Sequence, residues 1–449
     1  MVPEADMSSA RDHFSSRLGV LAATLGSAVG LGNIWKFPAL VGQNGGASFL
    51  LVYILATLCI GLPLMIVELS IGRAGRRNVV GVFRVIAPKS GWWLIGLGAV
   101  ISCVFILGFY SDVAGWVFAY IFKAATGGAA TTDPAAAQAA FARLTGDPVA
   151  ALGWQWLVLI LTGAIIMRGA SQGIEKVTRI LMPLLFLLLV GICLRSLTLP
   201  GAGEGLRFLF MPQWDRISGD VILMAMGLAF FKMSVGMGCM LIYGSYFKED
   251  VHIPSVALRV MVCDLLVSLL AGIAIFPAVF SFDFAVEQGP ALLFMTIPAV
   301  FASLPGGSLL TTVFFCLSAI AATGAILSLL EVPVSCLAER FSCSRTRAVP
   351  LVLAGLMLLG APATLSLGIW QDVRVFGLTF FDAYDALSSM ILMPVCGIAT
   401  SLFVGWFWPE RAALAALGND RAARTVRLLC RSLTPLLILL VLLHGLGLV

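Results

Sequence analysis

Charged residues are scarce in this sequence. Asp, Glu, Lys and Arg make up 11% of its 449 residues, whereas a soluble domain has about a quarter. There are three histidines, none spaced with another as metal ligands are, and there is no Gly-rich nucleotide loop. The ten cysteines contain no Cys-x-x-Cys pair, so a disulfide framework or a zinc set is disfavoured. These absences argue against a soluble domain, an ATP-driven pump and an enzyme with a recognisable catalytic set.

Long apolar runs are what the sequence has instead. Hydrophobic residues make up 60% of the chain, and the mean hydropathy is +1.02. Runs of about 20 apolar residues can cross the hydrocarbon core of a bilayer, and we count eleven of them between residues 18 and 447. The chain is therefore predicted to be an all-α membrane protein with eleven transmembrane helices, in one domain over residues 1–449.

The basic residues predict the orientation. With the N-terminus in the cytoplasm, 20 of the 28 Lys and Arg fall on the cytoplasmic side and five on the other side. This bias follows the positive-inside rule, so we expect a cytoplasmic N-terminus and an external C-terminus in a bacterial-type cytoplasmic membrane. The net charge of +5 then requires no nucleic-acid partner. No cleavable signal peptide is recognisable.

Two of the apolar runs are interrupted. Residues 27–38 hold three polar or charged side chains, two glycines and a proline, and residues 230–238 hold Lys232, a serine and two glycines. Irregular backbone at membrane depth is tolerated where it lines a cavity. Interruptions five spans apart indicate inverted repeats with a binding site between them. We predict repeats at about 11–197 and 206–408, and an extra helix at about 424–447.

Several charges lie inside the predicted spans. Lys232 and Asp264 carry opposite charges and are expected to meet, either as an inert pair or at a substrate site. Glu68 is expected to find a hydrogen-bonding partner. Asp112 is a functional candidate because intramembrane carboxylates are rarely without a role. The polar residues cluster at one depth, which favours a secondary transporter over a channel or receptor.

The motifs LGSAVGLGNIWKFP, QNGGASF, GLPLMIVELSIGR, FFKMSVGMG, SLLAGIAIFP and FFDAYDALSSMILMP resemble the neurotransmitter:sodium symporter family. The likeness covers essentially the whole chain. This likeness implies the LeuT fold, with broken helices 1 and 6. The chain is also similar to a bacterial eleven-span subgroup of the family that carries hydrophobic amino acids.

The resemblance implies a substrate site. The carboxylate of an amino acid would bind the backbone N–H groups of Leu31 and Gly32 and the Tyr110 hydroxyl. Gly30 stands where amine transporters carry Asp, which favours a substrate with its own carboxylate. The implied ammonium and side-chain contacts are Ala28, Val29, Ile106, Tyr110, Phe231, Ser234, Met237, Ile326 and Leu329.

The resemblance also implies two gates and a hinge. The outer gate would pair Lys36 with Asp385 beneath Phe231. Gly173 and Pro183 match a family motif for unwinding the fifth span. The inner gate would consist of Arg11, Glu339, Tyr246 and Phe14.

The implied ion sites depart from the family. At the first sodium site, Ala28 and Asn33 remain, but Lys232 and Asp264 replace neutral ligands, so an ammonium would occupy the cation position. The chloride site of animal members has lost ligands as well. The second sodium site would have the carbonyls of Gly26, Val29 and Ala321, with Thr323 one residue away from the expected hydroxyl pair.

We therefore expect a secondary active transporter of neutral, hydrophobic or aromatic amino acids, with sodium coupling in doubt. The alternatives are a symporter that uses only the second sodium site, and a proton-coupled or exchange transporter of another carboxylate, with Lys232, Asp264 or Asp112 as proton carriers. The expected partners are the lipid bilayer and a small-molecule substrate. No cofactor is expected, apart from a sodium ion at the weakened second site. The sequence indicates no oligomeric state.

Overall fold

The computed structural model describes residues 12–128, 131, 133–282, 292–304, 306–418 and 420–448. Within these residues, nine helices are long and apolar enough to span a membrane, and a bent pair of helices can form a tenth span. We call the side that carries residue 12 the inner face, because the basic residues predict it to be cytoplasmic, and the opposite side the outer face.

The helical elements of the described chain, in order, are α1 Arg17–Ala28, α2 Gly32–Gln43, α3 Ala47–Gly75, α4 Gly81–Ile86, α5 Trp93–Ala125, α6 Pro134–Gly146, α7 Pro148–Ile166, α8 Ala170–Ser196, α9 Ala202–Phe210, α10 Gly219–Lys232, α11 Cys239–Gly244, α12 Ile253–Phe282, α13 Leu293–Ala302, α14 Gly307–Arg340, α15 Arg345–Leu365, α16 Phe380–Phe407, α17 Glu410–Leu417 and α18 Arg421–Gly445.

The first span is broken between α1 and α2, whose axes differ by 54°. Val29 leaves the helix with extended backbone angles (φ −84°, ψ 103°). The second half then starts with a π-helical turn, Gly32–Lys36. Pro38 follows that turn, and its missing N–H is tolerated where the regular hydrogen-bond ladder is already interrupted.

The predicted sixth span is broken between α10 and α11. Ser234, Gly236 and Gly238 all have positive φ (53°, 78° and 84°), a region that glycine enters without steric cost. At Gly236 a β-carbon would also come within 2.6 Å of the Met393 carbonyl oxygen. The glycines therefore let the chain turn sharply while packed against α16.

The spans differ widely in burial. The most apolar stretch of α14 is 83% buried, whereas that of α18 is 22% buried, the lowest among the described spans. The position of α18 at the periphery is the one expected for the extra helix. The inverted repeats remain a prediction, although α8 and α16 end at Ser196 and Phe407, next to the proposed boundaries.

Candidate functional site

The two broken spans touch at their interruptions. The Ser234 hydroxyl donates a 2.8 Å hydrogen bond to the Ser27 carbonyl oxygen. The Gly236 N–H, freed by the break, donates to Glu68 at 2.6 Å, which is the partner expected for this buried carboxyl group. Both breaks therefore lie at one depth, and α3 supports the second of them.

A cavity of about 40 Å³ lies between the breaks. It is lined by Ser27, Ala28, Gly30, Gly32, Asn33, Ile106, Tyr110, Phe231, Lys232, Ser234, Met237, Ala325, Ser328 and Leu329. Three of the predicted substrate residues are absent from this wall, namely Val29, Leu31 and Ile326.

Backbone geometry explains why these residues do not line the cavity. Val29 is fully buried, and because it is extended, its side chain points to the opposite side from those of its neighbours. Ile326 is also fully buried, and on a helix its side chain is rotated by about 100° from that of the cavity-lining Ala325. Leu31 lines the outer vestibule instead. Sequence reasoning missed Ala325, although it lies four residues before the predicted Leu329 on the same face of α14.

Backbone donors face the cavity at the start of α2. The Leu31 N–H donates to the Tyr110 hydroxyl oxygen at 3.0 Å, and the Gly30 N–H donates to Asn33 Oδ1 at 3.2 Å. A β-carbon at position 30 would lie 3.0 Å from the Tyr110 hydroxyl, so glycine leaves room for this contact. A helix start of this kind suits an anionic group.

Lys232 and Asp264 form a buried ion pair, as predicted. Lys232 Nζ lies 3.1 Å from Asp264 Oδ2, and their side chains are 1% and 0% exposed. The ammonium also donates to the Tyr53 hydroxyl at 3.0 Å and to the Ser268 hydroxyl. A lysine ammonium has three donors, and all three have acceptors here. The amine thus points away from the cavity, which its aliphatic stem helps to line.

The ion pair is connected to the substrate cavity through Asn33. Asn33 Nδ2 donates to Asp264 Oδ1 at 2.6 Å, while Asn33 Oδ1 accepts from Gly30. The rings of Phe37 and Tyr53 each lie 5.0 Å from Lys232 Nζ, within the range of cation–π attraction. The pair is therefore internally neutral and is fixed to the backbone of the first break.

The residues that the resemblance assigns to the second sodium site lie where α1 and α14 meet. The Thr323 hydroxyl donates to the Ala319 carbonyl of its own helix at 2.7 Å. A β-carbon at Gly324 would lie 2.6 Å from the Gly26 carbonyl oxygen, so α1 and α14 approach closely there. Ala321, another implied carbonyl ligand, is fully buried.

An outer vestibule of about 320 Å³ lies above the substrate cavity. Its walls are formed by Leu31, Gly32, Trp35, Lys36, Ala39, Leu40, Gln43, Phe109, Tyr110, Phe231, Phe381, Asp382 and Asp385.

The two residues of the predicted outer gate face this vestibule without pairing. Lys36 Nζ lies 4.6 Å from the centre of the Phe231 ring. Asp385 accepts a 2.7 Å hydrogen bond from Ser389. The ion pairs of the described residues do not include these two, so their pairing stays a prediction for a closed state.

The inner face is closed by an aromatic plug around Phe14. This side chain is 1% exposed, and its ring centre lies 5.6 and 5.7 Å from those of Tyr243 and Tyr246. Its N–H donates to the Tyr246 carbonyl oxygen at 3.2 Å.

The predicted ionic part of the inner gate is only partly described. Arg11 lies outside the described residues, so its pairing with Glu339 stays a prediction. Glu339 accepts hydrogen bonds from Asn78, through the backbone N–H at 3.0 Å and the side-chain amide at 2.7 Å.

A second inner cluster was not predicted. Arg345 donates to both carboxylate oxygens of Glu331, at 2.8 and 2.7 Å, and the Tyr246 hydroxyl donates to the same carboxylate. Glu331 is fully buried. A carboxylate at membrane depth needs a partner, and that signal was available in the sequence, but the partner lies beyond the end of α14.

The N-terminal strap, residues 12–16, is attached to the start of α8. Asp12 accepts from the first backbone N–H of α8 at 2.5 Å. Glu175 accepts from the Ser15 N–H at 2.5 Å and from its hydroxyl at 2.6 Å. In this structure α8 remains helical through Gly173 and Pro183, so the predicted unwinding is not seen in this state.

The chain is similar in sequence to known membrane transporters. A model of the sodium:neurotransmitter symporter family matches residues 11–133 and 146–447. The chain is 38% identical over 439 residues to the uncharacterized sodium-dependent transporter YhdH of Bacillus subtilis, covering 97% of both chains. It is 29% identical over 305 residues to the sodium-dependent neutral amino acid transporter B(0)AT2 of Bos taurus, covering 62% of this chain and 42% of that one.

A solved structure is similar as well. The crystal structure of MhsT in complex with L-phenylalanine has a TM-score of 0.90 and 39% sequence identity, and the match covers 97% of this chain and 100% of that one. The predicted fold class, an all-α membrane protein with the LeuT fold, is thereby confirmed.

Proposed function

We propose that this chain, which belongs to the sodium:neurotransmitter symporter family, carries zwitterionic amino acids across the membrane by alternating access. The observation that carries the proposal is the meeting of two broken helices around a small cavity with backbone donors at one end. We further propose that the Lys232–Asp264 pair takes the place of the first sodium ion.

The donors of the cavity suit an amino acid. A carboxylate at the Leu31 N–H would replace the Tyr110 oxygen as its acceptor, and the Tyr110 hydroxyl could then donate to the same carboxylate. The backbone carbonyl oxygens of Ala28, at the first break, and of Phe231 and Ser234, at the second break, are the proposed acceptors for an ammonium. The remaining wall, with Ile106 and Met237, is apolar and favours a neutral side chain. The phenylalanine complex of MhsT supports this substrate class.

The charges of the site support an arrangement without sodium at the first position. The resemblance places a sodium site, and in animal members a chloride site, where Lys232 and Asp264 now lie. An ammonium and a carboxylate supply one charge of each sign without any ion from solution. Because all three ammonium donors have acceptors, we expect the pair to polarise the site through Asn33 rather than to touch the substrate.

The second sodium position also has few ligands. Sodium is a hard cation, and such cations take several oxygen ligands. The Thr323 hydroxyl is engaged with its own helix, and Gly324 brings no side-chain oxygen. We therefore propose transport that does not require sodium. The alternative is a symporter that binds sodium only at this second position.

The proposed localisation is a bacterial cytoplasmic membrane with the N-terminus inside and the C-terminus outside. The distribution of basic residues and the bacterial relatives support it. As a multi-pass member of a transporter family, the chain is proposed to be a transporter rather than an enzyme, channel or receptor.

The test is counterflow of labelled amino acids in proteoliposomes that contain the full-length protein. We expect exchange of neutral amino acids, changed less than about threefold when choline replaces sodium at constant ionic strength. The variant Lys232→Thr should lose exchange by at least about tenfold, because it leaves Asp264 buried without its cation. Lys248→Thr, at an exposed lysine, is the matched control. Strict sodium dependence of the wild type, or normal exchange by Lys232→Thr, would contradict the proposed role of the ion pair.

A further inference from the structure

Asp112 on α5 is a buried carboxyl group that belongs neither to the substrate cavity nor to the Lys232–Asp264 pair. Its side chain is 0% exposed, and neither oxygen has a hydrogen-bond partner within the described residues. Two donors approach it, the Thr364 hydroxyl on α15 and the Trp116 indole N–H. The Thr364 hydroxyl donates to the Gly360 carbonyl instead, at 3.3 Å.

No described cation is close enough to neutralise Asp112. α7, which packs along α5, has no titratable side chain. The titratable groups of the other elements against α5 are Arg84, Arg143, Cys316, Glu331, Cys336, Glu339, Arg340, Arg345, Arg347, Asp382, Tyr384, Asp385 and Cys396. Among the described residues, none of them forms an ion pair with Asp112. An ionised carboxylate without a counter-ion in a membrane interior is costly, so a bound proton favours the buried state.

A row of polar groups leads from Asp112 towards the outer face. Trp116 and Tyr120 follow at intervals of four residues, so the three side chains lie on one face of α5, about one turn apart. The indole nitrogen and the phenol oxygen are also buried without hydrogen-bond partners in the described chain. Lys123 Nζ, at the outer end of α5, lies 5.2 Å from the Tyr120 ring centre. The row therefore places buried polar atoms along α5 between Asp112 and the outer end of that helix.

The same row is in contact with the vestibule. Phe381 lines the vestibule, and its ring centre lies 6.0 Å from that of Trp116 and 5.3 Å from that of Phe109. We expect closure of the vestibule to move α16 relative to α5 and so to change the contact between Phe381 and Trp116. The surroundings of Asp112 are therefore coupled to the step that encloses the substrate.

We propose that Asp112 is a proton-binding site of the transport cycle. While the vestibule is open, an O–H bond forms between an Asp112 oxygen and a proton from water at the outer face, and the charge changes from −1 to 0. The neutral acid persists while the substrate is enclosed, and the proton leaves towards the inner side after inward opening. This inference rests on the proposed function, to which it adds the coupling ion.

Two transport measurements test the inference separately from the proposed function. Counterflow at equal pH on both sides tests amino acid transport alone. Uptake driven by a proton gradient, with a pH-sensitive dye inside the vesicles, tests coupling. One proton per substrate allows accumulation of up to about tenfold per pH unit. We expect wild type and Asp112→Glu to show accumulation and internal acidification. Asp112→Asn should keep counterflow within about threefold of wild type and lose both responses.

Ser111→Ala is the matched control, because Ser111 is a fully buried polar neighbour on α5 outside the row, and it should behave as wild type. Two results would overturn the proton site alone. In the first, the wild type shows counterflow but no proton-driven accumulation. In the second, Asp112→Asn shows counterflow and keeps the proton-driven accumulation of the wild type. Absence of counterflow in the wild type would overturn the proposed function and this inference with it. If Asp112→Asn does not fold, infrared difference spectra of the wild type decide, since substrate must change a protonated-carboxyl band.

Discussion

The outer and inner halves of this protein differ in whether their oppositely charged side chains form an ion pair. On the outer side, Lys36 and Asp385 face an open vestibule, each with its own neighbour. On the inner side, Arg345 and Glu331 form a bidentate pair beside a buried aromatic plug. Both sides thus have one cation and one carboxylate on different helices, but of these two pairs only the inner one is formed. Within the described residues, the outer pair is therefore open and the inner side is closed.

The difference shows where the free energy of the conformational change lies. Removing one partner from a buried ion pair costs about 3–5 kcal/mol, whereas an exposed pair contributes about 0–1 kcal/mol. We expect opening of the inner side to separate the largely buried Arg345–Glu331 pair, and closing of the outer side to form only an exposed pair. The inner cluster should therefore control the conformational equilibrium, and the outer pair should only adjust it.

The sharpest test of this comparison is Glu331→Gln. We expect the largest effect, a shift of about 3 kcal/mol towards the inward-open state, because the Arg345 guanidinium loses its charged partner. Hydrogen exchange of residues 12–20 should become at least about tenfold faster. The control is Glu410→Gln, which removes the exposed partner of Arg427. Equal protection of the strap in Glu331→Gln and wild type would show that the inner pair does not hold the inner side closed.

A smaller effect is expected from Gly324→Ala. The added β-carbon would lie 2.6 Å from the Gly26 carbonyl oxygen, so α1 must move away from α14 on the inner half. Overpacking of this kind costs about 1–3 kcal/mol, which thermal unfolding in detergent can measure.

The matched control is Gly355→Ala on α15, where a β-carbon meets nothing within 4 Å. If both variants unfold at the wild-type temperature, the close contact of α1 and α14 does not constrain the packing of these two helices.

The smallest effect is expected from Asp385→Asn on the outer side. The change removes the carboxylate that would pair with Lys36 after closure, so the KM for exchange should rise by up to about fivefold. The rise should shrink at high salt because exposed charges are screened. Asp372→Asn, in an exposed outer loop, is the control. A loss as large as that of Glu331→Gln would contradict the proposed inequality of the two halves.

Much of the site could be predicted because its signals are local. The glycines at 236 and 238 have positive φ at the second break, a backbone conformation that glycine adopts without steric cost. Two interruptions at equivalent positions also predicted a shared cavity, and the Ser234–Ser27 contact brings them together. The pairing of Lys232 with Asp264 could be predicted from sequence because they are opposite charges in neighbouring predicted spans, and each needs a counter-charge in the membrane.

Other features depended on orientation and distance in the fold. Whether Val29 or Ile326 faces the cavity depends on the rotation of each segment about its axis, which composition does not specify. The direction of the Lys232 amine was decided by Tyr53 and Ser268, which occupy its remaining donors. The sequence did not predict that Arg345 pairs with Glu331. The distance between their side chains depends on the conformation of the turn between α14 and α15.

The sequence by itself determined the membrane class, the places where helices break, and the family, because these depend on residue type and short motifs. Only the tertiary structure decided which buried charges have partners and which do not. Lys232, Glu331 and Asp112 are all charged residues at membrane depth, and the first two have counter-charges whereas the third has none within the described chain. The physical reason is that the free-energy cost of desolvation depends on each charged side chain by itself. Offsetting that cost requires a second, oppositely charged group, which only the packing of the helices brings close.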